Sequence, residues 1–382
     1  MTHFLRDILR QPEELQRTIE LLAVPAGAGR GALDAATAAV RGARHVYLTG
    51  IGSSWHAALN VGAMFHQHAH PVYLMDADEL LRFATFPKDS TMIIISRSGK
   101  STEIVQLARK ARKAGVTVIG ITNAPDSPLA KEAHTAIVVP IAFDHAISVN
   151  TYTTLALAAG MLASSVVGQK ARSTATPGFA PRDSASETAP AKVPVLPNLA
   201  TSLANALALT GRAIPGWQEK IEKSAWLAPR STTYFLARGS SLGSAYEARL
   251  MWEEGVKTPA TAMGTGSFRH GPQEIIAKEM RFGIWIDGVQ MREQDLAVAR
   301  DLRKLGASVM LVGQKVPEDA GDLVFQLPAI PAQWQFLIDI IPAQLVAERL
   351  AGLSGVDCDT FRLSSFIVED EGGLLPKEAG KK

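Results

Sequence analysis

Ser96, Ser98, Ser101 and Thr102 crowd around Gly99, directly after the apolar run Met92 to Ile95 and ahead of a helix-like pattern. That is the composition of a phosphate cradle. A β-branched apolar run is typical of a strand buried on both faces of a parallel sheet, and the turn after such a strand presents backbone N–H groups and a helix N-terminus that favour an anion. Hydroxyl side chains add donors without bulk. Gly99-Lys100-Ser101-Thr102 also copies the end of a nucleotide-triphosphate loop, but that motif needs a glycine five residues before Gly99, where Ile94 stands. The chemistry indicated is sugar-phosphate binding, not ATP binding.

A second candidate anion element is Gly50-Ile-Gly-Ser-Ser54, which opens a helix after a strand-like run and offers Gly52, Ser53 and Ser54. By itself it reads equally as a tight turn with a capping serine. Paired with Ser96, Ser98 and Ser101 from a neighbouring strand end, it becomes one of two loops converging at the carboxyl edge of a sheet. Arg97 is either an anion partner or a solvated loop residue. Ser148, in Ile147-Ser-Val-Asn-Thr-Tyr-Thr-Thr154, is either a sugar contact or part of a helix cap. Glu253 and Glu254 lie near the end of a helix beginning at about Ser241, where carboxylates oppose the helix dipole, so an exposed acidic pair is the plain alternative. His270, before Gly271-Pro272, falls in a loop, where titratable groups serve function more often than packing. A glutamate and a histidine in one cleft are what aldose–ketose interconversion needs, one to move the proton between C1 and C2 and one to help open the ring. His66, His68 and His70 stand at a helix end before Pro71 with no carboxylate or cysteine at metal-ligating spacing, so no metal is expected and a solvated helix end is.

At 382 residues the chain fits two domains of common size. Net charge is +2 and the basic residues form no block beyond Lys381-Lys382, so no nucleic-acid footprint is expected. No uninterrupted apolar run suits a membrane span; residues 151 to 167 read as a buried helix. Residues 1 to 22 carry four acidic side chains, unlike a leader, and the lone Cys358 points to a reducing cytoplasm.

Residues 1–44 form a helical preface in which Pro12 breaks or restarts the pattern after Gln11. Short apolar runs then alternate with amphipathic ones: Val46 to Leu48, a helix from Ser54, Val72 to Met75, Met92 to Ile95, a helix from Thr102, Val116 to Ile121, and Ile137 to Pro140. This alternation predicts a doubly wound α/β domain over 45–169. An Ala-, Ser-, Thr- and Pro-rich stretch, 170–197, reads as a flexible linker. A helix over 199–209 leads into a second α/β domain, 198–368, with strands at Thr233 to Ala237, Phe282 to Ile286, Ser308 to Val312 and Val324 to Leu327, and a tail over 369–382. The halves repeat: Tyr47 to Ala58 and Tyr234 to Ala245 share strand, glycine, two serines, helix, and Ile284 to Gly288 takes the place of Ile94 to Ser98. Asp287 replaces hydroxyls in the second copy, so only the first half is expected to hold phosphate.

Taken together, these residues resemble the double sugar-isomerase-domain (SIS) family, most closely the isomerase half of the glutamine–fructose-6-phosphate transaminases. The resemblance covers nearly the whole chain and rests on Asp7-Ile-Leu-Arg-Gln-Pro12, Gly52-Ser-Ser54, Ser96-Arg-Ser-Gly-Lys-Ser101, Ser148, Arg238-Gly239, Glu247, Glu254 and His270-Gly-Pro272. It implies two tandem flavodoxin-like domains with parallel sheets, and a ligand held by Gly52, Ser53, Ser54, Ser96, Arg97, Ser98, Gly99, Ser101 and Ser148. It also implies Glu254, rather than Glu253, as the proton-transfer base, and His270 from a neighbouring subunit of a homodimer for ring opening. Three departures stand out. No glutaminase segment precedes the isomerase part, and Met251 and Ser364 stand where the synthases have lysines, so an imine at those positions is not available. Lys377 lies further along the tail. The expected function is a cofactor-free isomerase or deaminase of an amino-sugar or hexose 6-phosphate. The alternatives are a deglycase of fructosamine 6-phosphates and a non-catalytic sugar-phosphate-binding regulator.

Overall fold

The structure, a computed structural model, describes residues 1–25, 27–173, 196–228, 232–363 and 367–370. Most of the linker read at 170–197, Ser364 and the tail with Lys377 lie outside the described residues, although the flanking helices reach Ser173 and start at Leu196.

Two helices, α1 (His3–Ala23) and α2 (Ala28–Gly42), precede the first sheet. Contrary to expectation, Pro12 does not break α1. A proline at that position removes the N–H that would reach the carbonyl of Ile8. Gln11 Nε2 donates to that carbonyl at 3.3 Å and to Gln344 Oε1 at 2.5 Å, so the vacancy is filled by a neighbouring side chain and the helix continues.

The first sheet comprises β1 (His45–Thr49), β2 (Tyr73–Leu74), β3 (Ser90–Ser96), β4 (Thr117–Thr122) and β5 (Thr135–Val138), parallel throughout and ordered β2-β1-β3-β4-β5. Its connections carry α3 (Ser53–Gln67), α4 (Ala77–Phe83), α5 (Thr102–Lys113) and α6 (Pro128–Glu132). β3 is buried at every position, as its unbroken Thr-Met-Ile-Ile-Ile run requires of a central parallel strand. Next come α7 (Asn150–Ser173) and α8 (Leu196–Lys223). Asn150–Gly168 is long and apolar enough to cross a membrane, but 94% of it is buried inside the protein, which makes it a core helix. α8 runs well past Leu209 and through Pro215. Ile214, Trp217 and Ile221 extend its apolar stripe, and the carbonyl that Pro215 leaves without its helical donor belongs to the exposed Gly211, so it is not a buried polar group.

The second sheet repeats the first. β6 (Thr232–Ala237), β7 (Ala260–Gly264), β8 (Met280–Trp285), β9 (Ser308–Gly313) and β10 (Leu323–Gln326) are parallel and ordered β7-β6-β8-β9-β10, interleaved with α9 (Leu242–Met251), α10 (Thr265–Phe268) and α11 (Arg292–Lys304). α12 (Ile341–Leu353) follows. The registers correspond residue by residue: Thr49 pairs with Ile94 in the first sheet, and Leu236, the repeat partner of Thr49, pairs with Ile284 in the second. The duplication read from sequence is thus a duplication of register. β7 was not anticipated, because Ala-Thr-Ala-Met-Gly lacks the β-branched density that marks the other strands. One continuous apolar cluster joins α1, α3, α7, α8, α9 and α12 between the sheets. Each sheet keeps a smaller cluster on its outer face.

Candidate functional site

β1 ends at Thr49, and the chain turns through Gly52, whose φ of 56° and ψ of −132° suit a residue with no Cβ, to start α3 at Ser53. Gly239, at the repeated position, has φ 54°. The neighbouring β3 ends at Ser96, whose Oγ accepts from Gly99 N at 3.1 Å, while Ser98 Oγ accepts from Lys100 N at 3.2 Å. A hydroxyl that accepts keeps its own O–H to donate, so both serines shape the loop and retain a donor. Ser101 stands at the N-cap of α5 with no side-chain capping bond. The first N–H of that helix, Thr102 N, donates to Val368 O at 3.1 Å.

These loops open onto a cavity of about 300 Å³ lined by Gly52, Ser53, Ser54, Ser96, Arg97, Ser98, Ser101, Ser148 and Glu254, with Phe361, Ile367 and Val368 from the C-terminal segment among its walls. Gly99 does not line it; it turns with φ 59° behind the loop, beside Ser127. Arg97 Nη1 donates to Ser148 Oγ at 3.1 Å and to Ala146 O at 3.4 Å, and the guanidinium lies 5.7 Å from the Phe143 ring centroid. Burial pulls its pKa down while the charges of Asp144 and Glu254 hold it up. The capping of α7 falls to Asp144, which the sequence reading did not single out: its carboxylate accepts from Val149 N, Asn150 N and Thr151 N at 2.8–3.0 Å. Ser148 is therefore relieved of the capping role and bonds Arg97.

Glu254 comes from the other module. α9 widens after Met251 into a π-helical turn, Trp252–Val256, which stops at Lys257 in a left-handed conformation (φ 58°). That turn separates the two glutamates. Glu253 is exposed and stands 3.6 Å from Arg249, whereas Glu254 lines the cavity. The alternative of an exposed acidic pair therefore holds for Glu253 only. Burial, then the negative charge of Glu247, pushes the Glu254 carboxyl up to about 8, against the pull of Arg97 and Lys257. Glu247 itself is buried one helical stretch earlier, accepting from Ser53 Oγ at 2.9 Å and sitting 2.6 Å from His56 Nδ1. This bridge between modules requires α9 to press onto α3, and Gly243 permits it: a Cβ there would fall 2.2 Å from His56 O and 2.1 Å from Asn60 Oδ1. The bridging residues are 191 and 194 positions apart, beyond the reach of any spacing rule.

Besides Gly99, one other predicted site residue does not meet in this cavity. His270 is exposed after α10, with its N–H on Ser267 O at 3.0 Å, and does not line it. Met251, at the first lysine position of the resemblance, is fully buried in the core. Among the described residues none that line the cavity is a lysine, and no three His, Cys, Asp or Glu side chains are grouped to hold a metal. Of the histidine run, His66 is exposed but His70 is buried with its ring 5.4 Å from Phe65, so the solvated-end reading fails at its last residue. In the second module the equivalent loop is occupied by its own carboxylate. Asp287 accepts from Gln290 N at 2.9 Å and Met291 N at 2.8 Å, and buried Asp295 takes both Asp287 N and Arg238 Nε.

Two tandem sheets of order 2-1-3-4-5, with serine loops at the carboxyl edge of the first, define a double flavodoxin-like α/β fold. Residues 39–165, which span the first module, match the model of the SIS domain family. Over 94% of its length the chain is homologous to glutamine–fructose-6-phosphate aminotransferase (isomerizing), with 25% identity over 368 residues to the protein of Pyrobaculum aerophilum and 26% over 376 residues to that of Symbiobacterium thermophilum. It covers 56% and 57% of those two proteins, and so spans about half the length of the curated relatives it matches. Among solved structures, the C-terminal domain of glucosamine-fructose-6-phosphate aminotransferase from Francisella tularensis superposes with a TM-score of 0.80 at 21% identity, covering 94% of this chain and 98% of that one. Glucosamine-6-phosphate deaminase from Thermotoga maritima superposes with a TM-score of 0.73 at 21% identity, covering 96% and 99%. At such identities the superpositions establish the fold.

Proposed function

We propose that the chain is a sugar-phosphate isomerase or deaminase acting on an amino-sugar or hexose 6-phosphate. The observation that carries this reading is the cavity in which serine loops of the first module face Glu254 of the second. The phosphate sits at the hydroxyl end, accepting from Ser54, Ser96, Ser98 and Ser101, from the loop around Gly99 and from the backbone N–H of Ser53, whose hydroxyl is given to Glu247, with Arg97 and Ser148 along the sugar. Glu254 meets the C1–C2 end. A carboxyl with a pKa near 8 is ionised in only about a tenth of molecules at neutral pH, but each ionised copy is a far stronger base than an ordinary carboxylate. It takes the proton from C2 of the open-chain sugar and returns it to C1. For a 2-amino sugar the product is a C2 iminium, which water hydrolyses to the ketose with release of ammonia; for a 2-hydroxy sugar it is the ketose directly.

His270 of the partner subunit, in a homodimer, opens the ring. The relatives support the substrate class, since proteins named for fructose 6-phosphate or glucosamine 6-phosphate share this fold. The test is ammonia and ketose formation from glucosamine 6-phosphate, beside a panel of hexose and fructosamine phosphates, for the wild type and Glu254→Gln. Turnover lost in the variant supports the reading. Tight binding of a hexose phosphate without turnover by the wild type would replace it with a sugar-phosphate sensor.

A further inference from the structure

Lys257 belongs to no motif of the sequence, yet it joins two walls of the cavity. It terminates the π-helical turn that carries Glu254, in a left-handed conformation that side chains other than glycine seldom adopt. From there its ammonium donates to the carbonyl oxygen of Glu254 and to Thr360 O at 2.8 Å, and it lies 5.7 Å from the ring centroid of Phe361. Phe361 and Glu254 both line the cavity. The 357–361 segment is fastened at its other side as well. Asp359 accepts from His3 N at 2.7 Å and Phe4 N at 2.8 Å, capping α1, and Asp357 accepts from Asp359 N and Thr360 Oγ1. Directly beneath, a Cβ on Gly255 would stand 3.9 Å from Cys358 Cβ, so the turn and the segment are in close approach.

The geometry points to Lys257 as a positioning residue: by binding the backbone of Glu254 and of Thr360 together, it sets the catalytic carboxylate and the Phe361 wall as one unit over the sugar end of the cavity. Its kinetic consequence rests on the function proposed above; the physical tie does not. The charge contributes too. Around Glu254 stand Glu247 and Glu253, which disfavour its ionised form, and Arg97 and Lys257, which favour it. Around Lys257 stand Glu254, Asp357, Cys358 and Arg362. Removing the ammonium therefore loosens the wall and makes Glu254 harder to ionise.

The experiment compares wild type, Lys257→Met, Lys257→Gln and Lys257→Arg by amide hydrogen exchange and by the pH dependence of turnover. Loss of a charged hydrogen bond predicts exchange of the 357–361 amides at least about tenfold faster in the Met and Gln variants, with Arg restoring most of the protection. Unchanged exchange in both neutral variants overturns the tie. In the same variants the acid limb of kcat against pH moves to higher pH, and Lys257→Arg returns it. Faster exchange with an unmoved acid limb reduces Lys257 to a scaffold residue and overturns its positioning role. Absence of turnover by the wild type on every sugar phosphate defeats the proposed function, while the exchange arm still decides the tie.

Discussion

Glu247 accepts a hydrogen bond from Ser53 across the boundary between modules, Oγ to Oε1 at 2.9 Å, and its charge also raises the pKa of Glu254 further along the same helical stretch. One buried carboxylate thus touches the serine loop after β1 directly and the proposed base through its field.

Replacing Glu247 by Gln separates those two effects. The amide oxygen still accepts from Ser53, but the negative charge beside Glu254 is gone, so the Glu254 pKa falls and the acid limb of the activity profile moves to lower pH. Stability falls as well, because His56 loses its charged partner at 2.6 Å; a buried group left so costs about 1–3 kcal/mol. The pH–rate profile and a denaturant titration measure the two outcomes separately. An acid limb that stays in place would show that Glu247 does not act on Glu254.

Ser98 and Ser101 should behave differently despite their shared chemistry. Ser98 Oγ accepts from Lys100 N and so supports the loop, whereas Ser101 makes no capping bond. Ser101→Ala is expected to leave the melting temperature near that of wild type and to weaken hexose-phosphate binding by about tenfold or more, the value of one hydrogen bond to a charged group. Ser98→Ala is expected to lower both. Thermal shift with and without ligand, together with calorimetric affinities, distinguishes them; equal loss of stability in both variants would contradict the assignment.

The parts of this molecule that were legible in sequence are those fixed by neighbouring residues. The Met92 to Ile95 run forms the all-buried β3, and the serines after it stay within one loop, so strand and serine turn are written contiguously. What escaped depends on distant partners. Pro12 reads as a break or restart, but Gln11 fills the vacancy it leaves, and the helix read over 199–209 runs on to Lys223 through Pro215. β7 holds its place at the sheet edge through pairing with β6, not through β-branched density. The Glu247–His56 contact and the π-helical turn that turns Glu254 inward have no local signature, because packing of α9 on α3 creates the one and the left-handed Lys257 closes the other.

Asp339 is a further buried carboxyl, pushed up to about 7 by desolvation against the hydrogen bond from Ser241 Oγ at 2.6 Å. Its folded pKa lies above the ordinary 3.8, so its stabilising contribution is complete below about pH 4 and is lost as pH rises through about 7. The folded state binds the proton more tightly than the unfolded chain does. Wild-type stability is therefore expected to fall by roughly 2 kcal/mol more than that of Asp339→Asn between about pH 5 and pH 7. Urea unfolding at the two pH values tests this; parallel curves would show that Asp339 is ionised throughout.

His270 is exposed in the single chain and absent from the cavity that Glu254 lines. If His270 reaches the sugar from the partner subunit of a homodimer, each site combines Glu254 of one chain with His270 of the other. Glu254→Gln and His270→Asn are each expected to be inactive as homodimers. In a mixed dimer one site carries both substitutions and the other carries none. Random mixing makes about half the dimers hybrid, with one intact site in each, so about a quarter of wild-type activity should return on co-expression. Should His270 serve its own chain, every site in the hybrid carries one substitution and no activity returns. Mixing separately purified variants and following turnover as subunits exchange adds a time course, in which recovery tracks hybrid formation, and a dilution series that keeps the protein monomeric abolishes it.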